Sequence, residues 1–113
     1  MKFQDITAQL NAQVVHKSSR FDTAQIKNIV VSDMMSEVLT VDKEDILLLT
    51  SLSSHQTIRT LNNIGGMGAI IVNGSPIQVG LKELASEFDI TLLKTELPAF
   101  EACVILGKLL EGK

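Results

Sequence analysis

Six small polar residues follow apolar runs in this 113-residue chain: Asp33, Thr50, Ser51, Asn73, Gly74 and Thr95. Asp33 comes after Ile29-Val30-Val31-Ser32, Thr50 and Ser51 after Ile46-Leu47-Leu48-Leu49, Asn73 and Gly74 after Ala69-Ile70-Ile71-Val72, and Thr95 after Thr91-Leu92-Leu93-Lys94. Hydroxyls, a carboxamide and the amides of a glycine turn hydrogen-bond an anion or a nucleotide-like ligand. In open parallel sheets such ligands meet the carboxyl ends of the strands. The same residue types also cap helices and close turns. Asp33, Ser51, Asn73, Gly74 and Thr95 therefore carry two readings, a small-ligand site and plain structural chemistry.

Other chemistry has less support. His55 and Arg59 are four residues apart and share a helix face. They form either an anion clamp or a solvated surface, and the usual exposure of both types favours the surface. Cys103 lies in the apolar run Ala99 to Leu106, about five residues beyond Pro98. Thiol activation requires a basic neighbour or a helix N-terminus, so a buried structural thiol is expected. His16 has no carboxylate or cysteine close by in sequence, and the spacing of the two histidines suggests no zinc site. No serine stands in a nucleophile elbow, and Glu44-Asp45 reads as a solvated turn. No catalytic residue, metal or cofactor is expected. Gly65-Gly66-Met67-Gly68 follows a helical pattern and precedes a strand, the reverse of a phosphate-binding glycine loop, and so reads as a helix C-cap and turn.

The elements that must position these groups repeat one theme. The apolar runs starting at Ile46, Ala69 and Thr91 begin 23 and 22 residues apart. Each precedes a helical pattern: Ser54 to Ile64, Ile77 to Phe88, and Pro98 to Leu110. Unbroken apolar strands suit a sheet buried on both faces, and strand–helix–strand at this spacing predicts right-handed parallel crossovers. Ser53 and Gln56 have capping-box spacing, and Pro76 and Pro98 stand at helix starts. Upstream, Phe3 to Leu10 has helical spacing, Ile26 to Asp33 reads as a strand, and Met34 to Val41 as a short helical turn. The prediction is an α/β fold: a small three-layer domain, 1–113, with a mostly parallel sheet of about four or five strands flanked by helices.

The last helix is apolar over more than one stripe. Phe100, Cys103, Leu106, Leu109 and Leu110, with Val104 and Ile105, cover over half its circumference. Such a helix is buried on two sides, and in so small a domain the second side is read as another subunit related by two-fold symmetry. A homodimer is the preferred reading.

Composition bounds the rest. Hydrophobic residues make up 45% and charged residues 20%, which excludes a disordered chain. One cysteine excludes a disulfide scaffold. Ten basic against thirteen acidic residues give a net charge of -3, so no nucleic-acid partner is expected. No apolar run approaches a membrane span, and the N-terminal residues lack a signal-like stretch. A cytoplasmic address, with no membrane partner, is the expectation.

The run Ile29 to Val41, then Ile46-Leu47-Leu48-Leu49-Thr50 and Thr57-Ile58-Arg59-Thr60, resembles a DRTGG domain. So does Leu92-Leu93-Lys94-Thr95 followed by Phe100-Glu101-Ala102. The resemblance runs from Phe3 to Leu110 and extends to the N-terminal domain of HPr kinase/phosphorylase. It also takes in the module of some phosphotransacetylases and CBS-containing pyrophosphatases. It implies a parallel α/β domain that accompanies catalytic or sensory domains, without established chemistry of its own, and that pairs subunits in the pyrophosphatase setting. Kinase activity is not implied, because it belongs to a separate phosphate-loop domain. The naming motif is altered: Ser51-Leu52-Ser53 follows Thr50 in place of Asp-Arg, and Val72-Asn73-Gly74 stands at the Thr-Gly-Gly position. The first functional expectation is a non-catalytic regulatory or interaction module, homodimeric and working through a partner protein. The alternative is a sensor of a small anionic or nucleotide-like metabolite at the strand ends. A small enzyme is the third and weakest.

Overall fold

A computed structural model describes residues 1–112. In chain order the elements are α1 (Phe3–Gln9), β1 (Gln13–His16), β2 (Asn28–Val31), α2 (Met35–Val38), β3 (Ile46–Thr50), α3 (His55–Ile64), β4 (Gly68–Ile71), α4 (Leu81–Phe88), β5 (Thr91–Lys94) and α5 (Ala99–Glu111). The five strands form one sheet in the order β1-β5-β4-β3-β2. β2 through β5 run parallel, and β1 joins β5 antiparallel with a bulge between Val14 and His16.

Every residue of β3 and of β4 is buried, which explains why their sequences are unbroken apolar runs. The two-residue period of a strand sorts them between layers. Leu47, Leu49, Ile70, Val72 and Leu93 face Phe3, Ile6 and Leu10 of the α1 segment and Ala102 and Leu106 of α5. Leu48, Ala69, Ile71 and Leu92 face Met35, Val38, Ile58, Leu61, Leu81 and Ala85 of α2, α3 and α4. The three-layer expectation is met. Within the second layer α2 packs beside α3 and α3 beside α4, so α2 is the outermost helix, on the side of β2.

The glycine run works as a stop and a close approach. Gly65 ends α3 at φ 72°, a conformation that costs glycine little. A Cβ on Gly68 would lie 2.8 Å from Phe3 Cζ, so β4 needs a bare backbone where the first aromatic ring covers it.

Two local expectations are corrected. α4 starts at Leu81 rather than Ile77, because residues 76–80 are tied across to the head of α3 instead. The Gln78 amide donates to the Ser53 carbonyl at 3.3 Å, the Ser53 hydroxyl donates to the Pro76 carbonyl, and Gly80 (φ 87°) turns the chain into the helix. The capping box at Ser53 and Gln56 does not form either. Ser54 is the N-cap residue without a side-chain cap bond, and the Gln78 side-chain oxygen accepts from the His55 amide at 3.0 Å.

Candidate functional site

β2 and β3 run side by side with Val31 opposite Leu49, which brings the residue two beyond each, Asp33 and Ser51, together at the carboxyl end of the sheet. The chain bends at Asp33, and its carboxylate accepts from the Thr50 hydroxyl at 2.7 Å, the Ser51 amide at 2.7 Å and the Ser51 hydroxyl at 2.6 Å. The Ser51 hydroxyl, then its amide, then the Thr50 hydroxyl hold the Asp33 carboxyl below its ordinary range, and slight burial opposes them. Asp33 is therefore a carboxylate ion at neutral pH.

Asp33, Thr50, Ser51 and Asn73 line one opening of about 120 Å³, with Val31, Ser32, Leu49, Val72 and Ala99 as its other walls. The space holds a few waters or one small group of a larger ligand, well below the ~300–1,000 Å³ of a site that engulfs a drug-sized molecule. Asn73 sits in the left-handed region at φ 62° and aims its side-chain oxygen at the Ala99 amide, 3.2 Å away, at the first turn of α5. The anion place at the end of β3 is thus filled by the chain's own carboxylate. A phosphate entering at Ser51 meets that negative charge, whereas a sugar hydroxyl or an ammonium group finds an acceptor.

The other predicted members lie elsewhere. Thr95 is buried, its hydroxyl donating to the Leu10 carbonyl at 2.8 Å and accepting from the Leu97 amide. It borders a second opening of about 230 Å³ with Gln9, Leu10, Asn11, Glu96, Leu97 and Ile105. Gly74 donates to the Thr95 carbonyl and lies against the Glu96 carboxylate. His55 is not poised as half of an anion clamp with Arg59. Its Nε2 lies 3.1 Å from the Val79 carbonyl, and it holds the 76–80 loop. A carboxylate that the sequence reading passed over, Asp89, repeats the Asp33 arrangement at the opposite end of the sheet. It accepts from the hydroxyl and the amide of Ser19, and these bonds hold it below its ordinary range. Its signal was only a positional one: Asp after a helix pattern, which here takes φ 56°.

On α5 the five predicted interface residues divide. Phe100 is 78% exposed, while Cys103, Leu109 and Leu110 are half-buried. Leu106 is 1% exposed and spent on the core of its own chain, so it is not surface. Val104 is exposed beside Phe100. Among the described residues no group of three or more His, Cys, Asp or Glu gathers to hold a metal, and no helix is long and apolar enough to cross a membrane.

No family model matches the sequence, and no curated protein matches it. A solved structure does share the fold. It contains the CBS and DRTGG domains of the regulatory region of Clostridium perfringens pyrophosphatase, complexed with the activator diadenosine tetraphosphate. The likeness has a TM-score of 0.78 at 17% identity and covers 93% of this chain and 45% of that one. The fold is DRTGG-like, as the resemblance implied. The chain spans less than half the length of the protein it matches.

Proposed function

We propose that this chain is a non-catalytic regulatory module that works by protein contact, as a cytoplasmic homodimer acting on a further protein partner. One observation carries the reading. The polar strand ends are satisfied within the chain, Asp33 by Thr50 and Ser51 and Asn73 by the Ala99 amide, while Val31, Met34, Leu39, Phe100 and Val104, with Val79 in the 76–80 loop, remain as exposed large apolar side chains. Surfaces of that kind belong to protein–protein contacts. The regulatory context of the matched pyrophosphatase domains supports it.

The opening at Asp33, Ser51 and Asn73 supports a second reading, a sensor of a nucleotide-like metabolite. In that reading a sugar hydroxyl, not a phosphate, faces Asp33. Both are tested by thermal-shift titration with adenine mono- and dinucleotides, diadenosine tetraphosphate included, on protein whose mass is fixed by sedimentation equilibrium. The contact reading expects a dimer and no saturable shift. A saturable shift that Ser51→Ala abolishes overturns it in favour of the sensor. A monomer at tens of micromolar overturns the homodimer.

A further inference from the structure

The two edges of the sheet are unlike. β1 is broken by its bulge, ends in His16 and is followed by Lys17, a blunted edge of the kind that resists further pairing. β2 is regular, its residues Ile29, Val30 and Val31 are β-branched, and among the described residues its sole sheet neighbour is β3. The Asn28 amide donates to the Asp45 carbonyl and the Ser32 amide to the Leu49 carbonyl, so even-numbered residues of β2 bond inward. The amides and carbonyls of Ile29 and Val31 consequently point outward along the free edge.

We infer that β2 pairs antiparallel with β2 of a second copy about a two-fold axis through Val30, joining the two sheets into one of ten strands. This rests on the homodimer reading above and names its surface. An antiparallel edge is self-complementary: Ile29 of each copy faces Val31 of the other, and each such pair exchanges two N–H···O bonds. The charges select the register. Centring on Val30 brings Lys27, whose 69% exposed side chain lies 3.7 Å from Asp45 of its own chain, within reach of Asp33 of the other copy at both ends of the ladder. Centring on Ile29 or Val31 moves these charges out of opposition. The same axis keeps like layers together, so the seam has apolar cover on both faces. Val31 shares the wall of the strand-end opening with Ala99, and Phe100 and Val104 project from the exposed side of α5. On the opposite face Met34 and Leu39 flank α2, the outermost helix.

Val30 sits on the axis in a non-hydrogen-bonded pair, where Cα atoms are about 4.5 Å apart and within disulfide reach. Val30→Cys in a Cys103→Ala background, treated with copper-phenanthroline, is expected to form a covalent dimer through residue 30. Adding Val31→Pro removes an outward amide and leaves the β3 ladder intact, and should cut the linked fraction at least tenfold. Lys27→Glu tests the register in a chain whose core is untouched, with Asp45→Asn, which removes only the ion pair that Lys27 makes in its own chain, as the control expected to leave the dimer unchanged. The reversed charge should weaken the dimer about tenfold at low salt, with the effect fading at high salt. A dimer by sedimentation that neither links through residue 30 nor responds to Val31→Pro or Lys27→Glu overturns the β2 edge and leaves the homodimer standing. A monomer throughout overturns both.

Discussion

At the scale of single residues the structure turns on one carboxylate. Asp33 is exposed, yet it gathers three donors from the end of the neighbouring strand. Its folded carboxyl is held below the value of the unfolded chain, so the stabilisation it provides is fully present above about pH 4 and is lost as pH falls through the lowered folded value. Asp33→Asn should cost about 1 kcal/mol at pH 7, the charged hydrogen bonds being discounted for exposure. Urea melts of wild type and variant should converge once the pH falls below the lowered folded value. A difference that persists unchanged in acid would show that the charge is not what Ser51 binds. The sequence places Asp33, Ser51 and Asn73 at one sheet end by topology alone. That Asp33 and Ser51 spend their polar atoms on each other, and Asn73 its oxygen on the first turn of α5, depends on the strand register and on the bend at Asp33. The same reasoning set Thr95 with them, and it went astray because Leu10, at the end of the α1 segment, whose carbonyl takes the Thr95 hydroxyl, is not part of the strand repeat.

Among the elements, the informative case is the start of α3. The strand–helix repeat was legible because buried parallel strands must be continuously apolar, and Gly65 marked a helix end by its position. The start of α4 was misplaced because Ile77 keeps helical spacing while Gln78 and Val79 serve a different element. Ser54 has the position and chemistry of an N-cap, but its hydroxyl is buried with no partner among the described residues, and the distant Gln78 does the capping. The usual ranking of cap residues then inverts. Gln78→Ala should destabilise the protein by about 1 kcal/mol, as cap removal does. Ser54→Ala should be neutral or slightly stabilising, because it removes an unsatisfied buried group. Denaturant midpoints of the two variants measure this directly, and a larger loss for Ser54→Ala would assign the cap back to serine.

For the whole molecule, α5 separates what folding needs from what association needs. Sequence spacing shows that its apolar surface is too wide for one contact, but not which residues lie on which side, because a helix rotation of a few tens of degrees decides that. The structure assigns Leu106 to the core and leaves Phe100 in solvent. Truncating Leu106 to Ala should leave a cavity and cost about 3 kcal/mol, a large part of the stability of a domain this size, at any protein concentration. Phe100→Ser removes no core contact, so the isolated chain should keep its stability. In a dimer that covers this side of α5, however, folding is linked to association and the melting temperature rises with protein concentration. Melting curves across a hundredfold range of concentration therefore distinguish the two roles. Wild type and Leu106→Ala should both shift upward with concentration, the variant from a lower starting point, whereas Phe100→Ser should show a flatter dependence converging on the wild-type value at high dilution. A concentration-independent wild type would place α5 in a monomer. An equal slope for Phe100→Ser would move the interface off α5 and confine it to the strand edge.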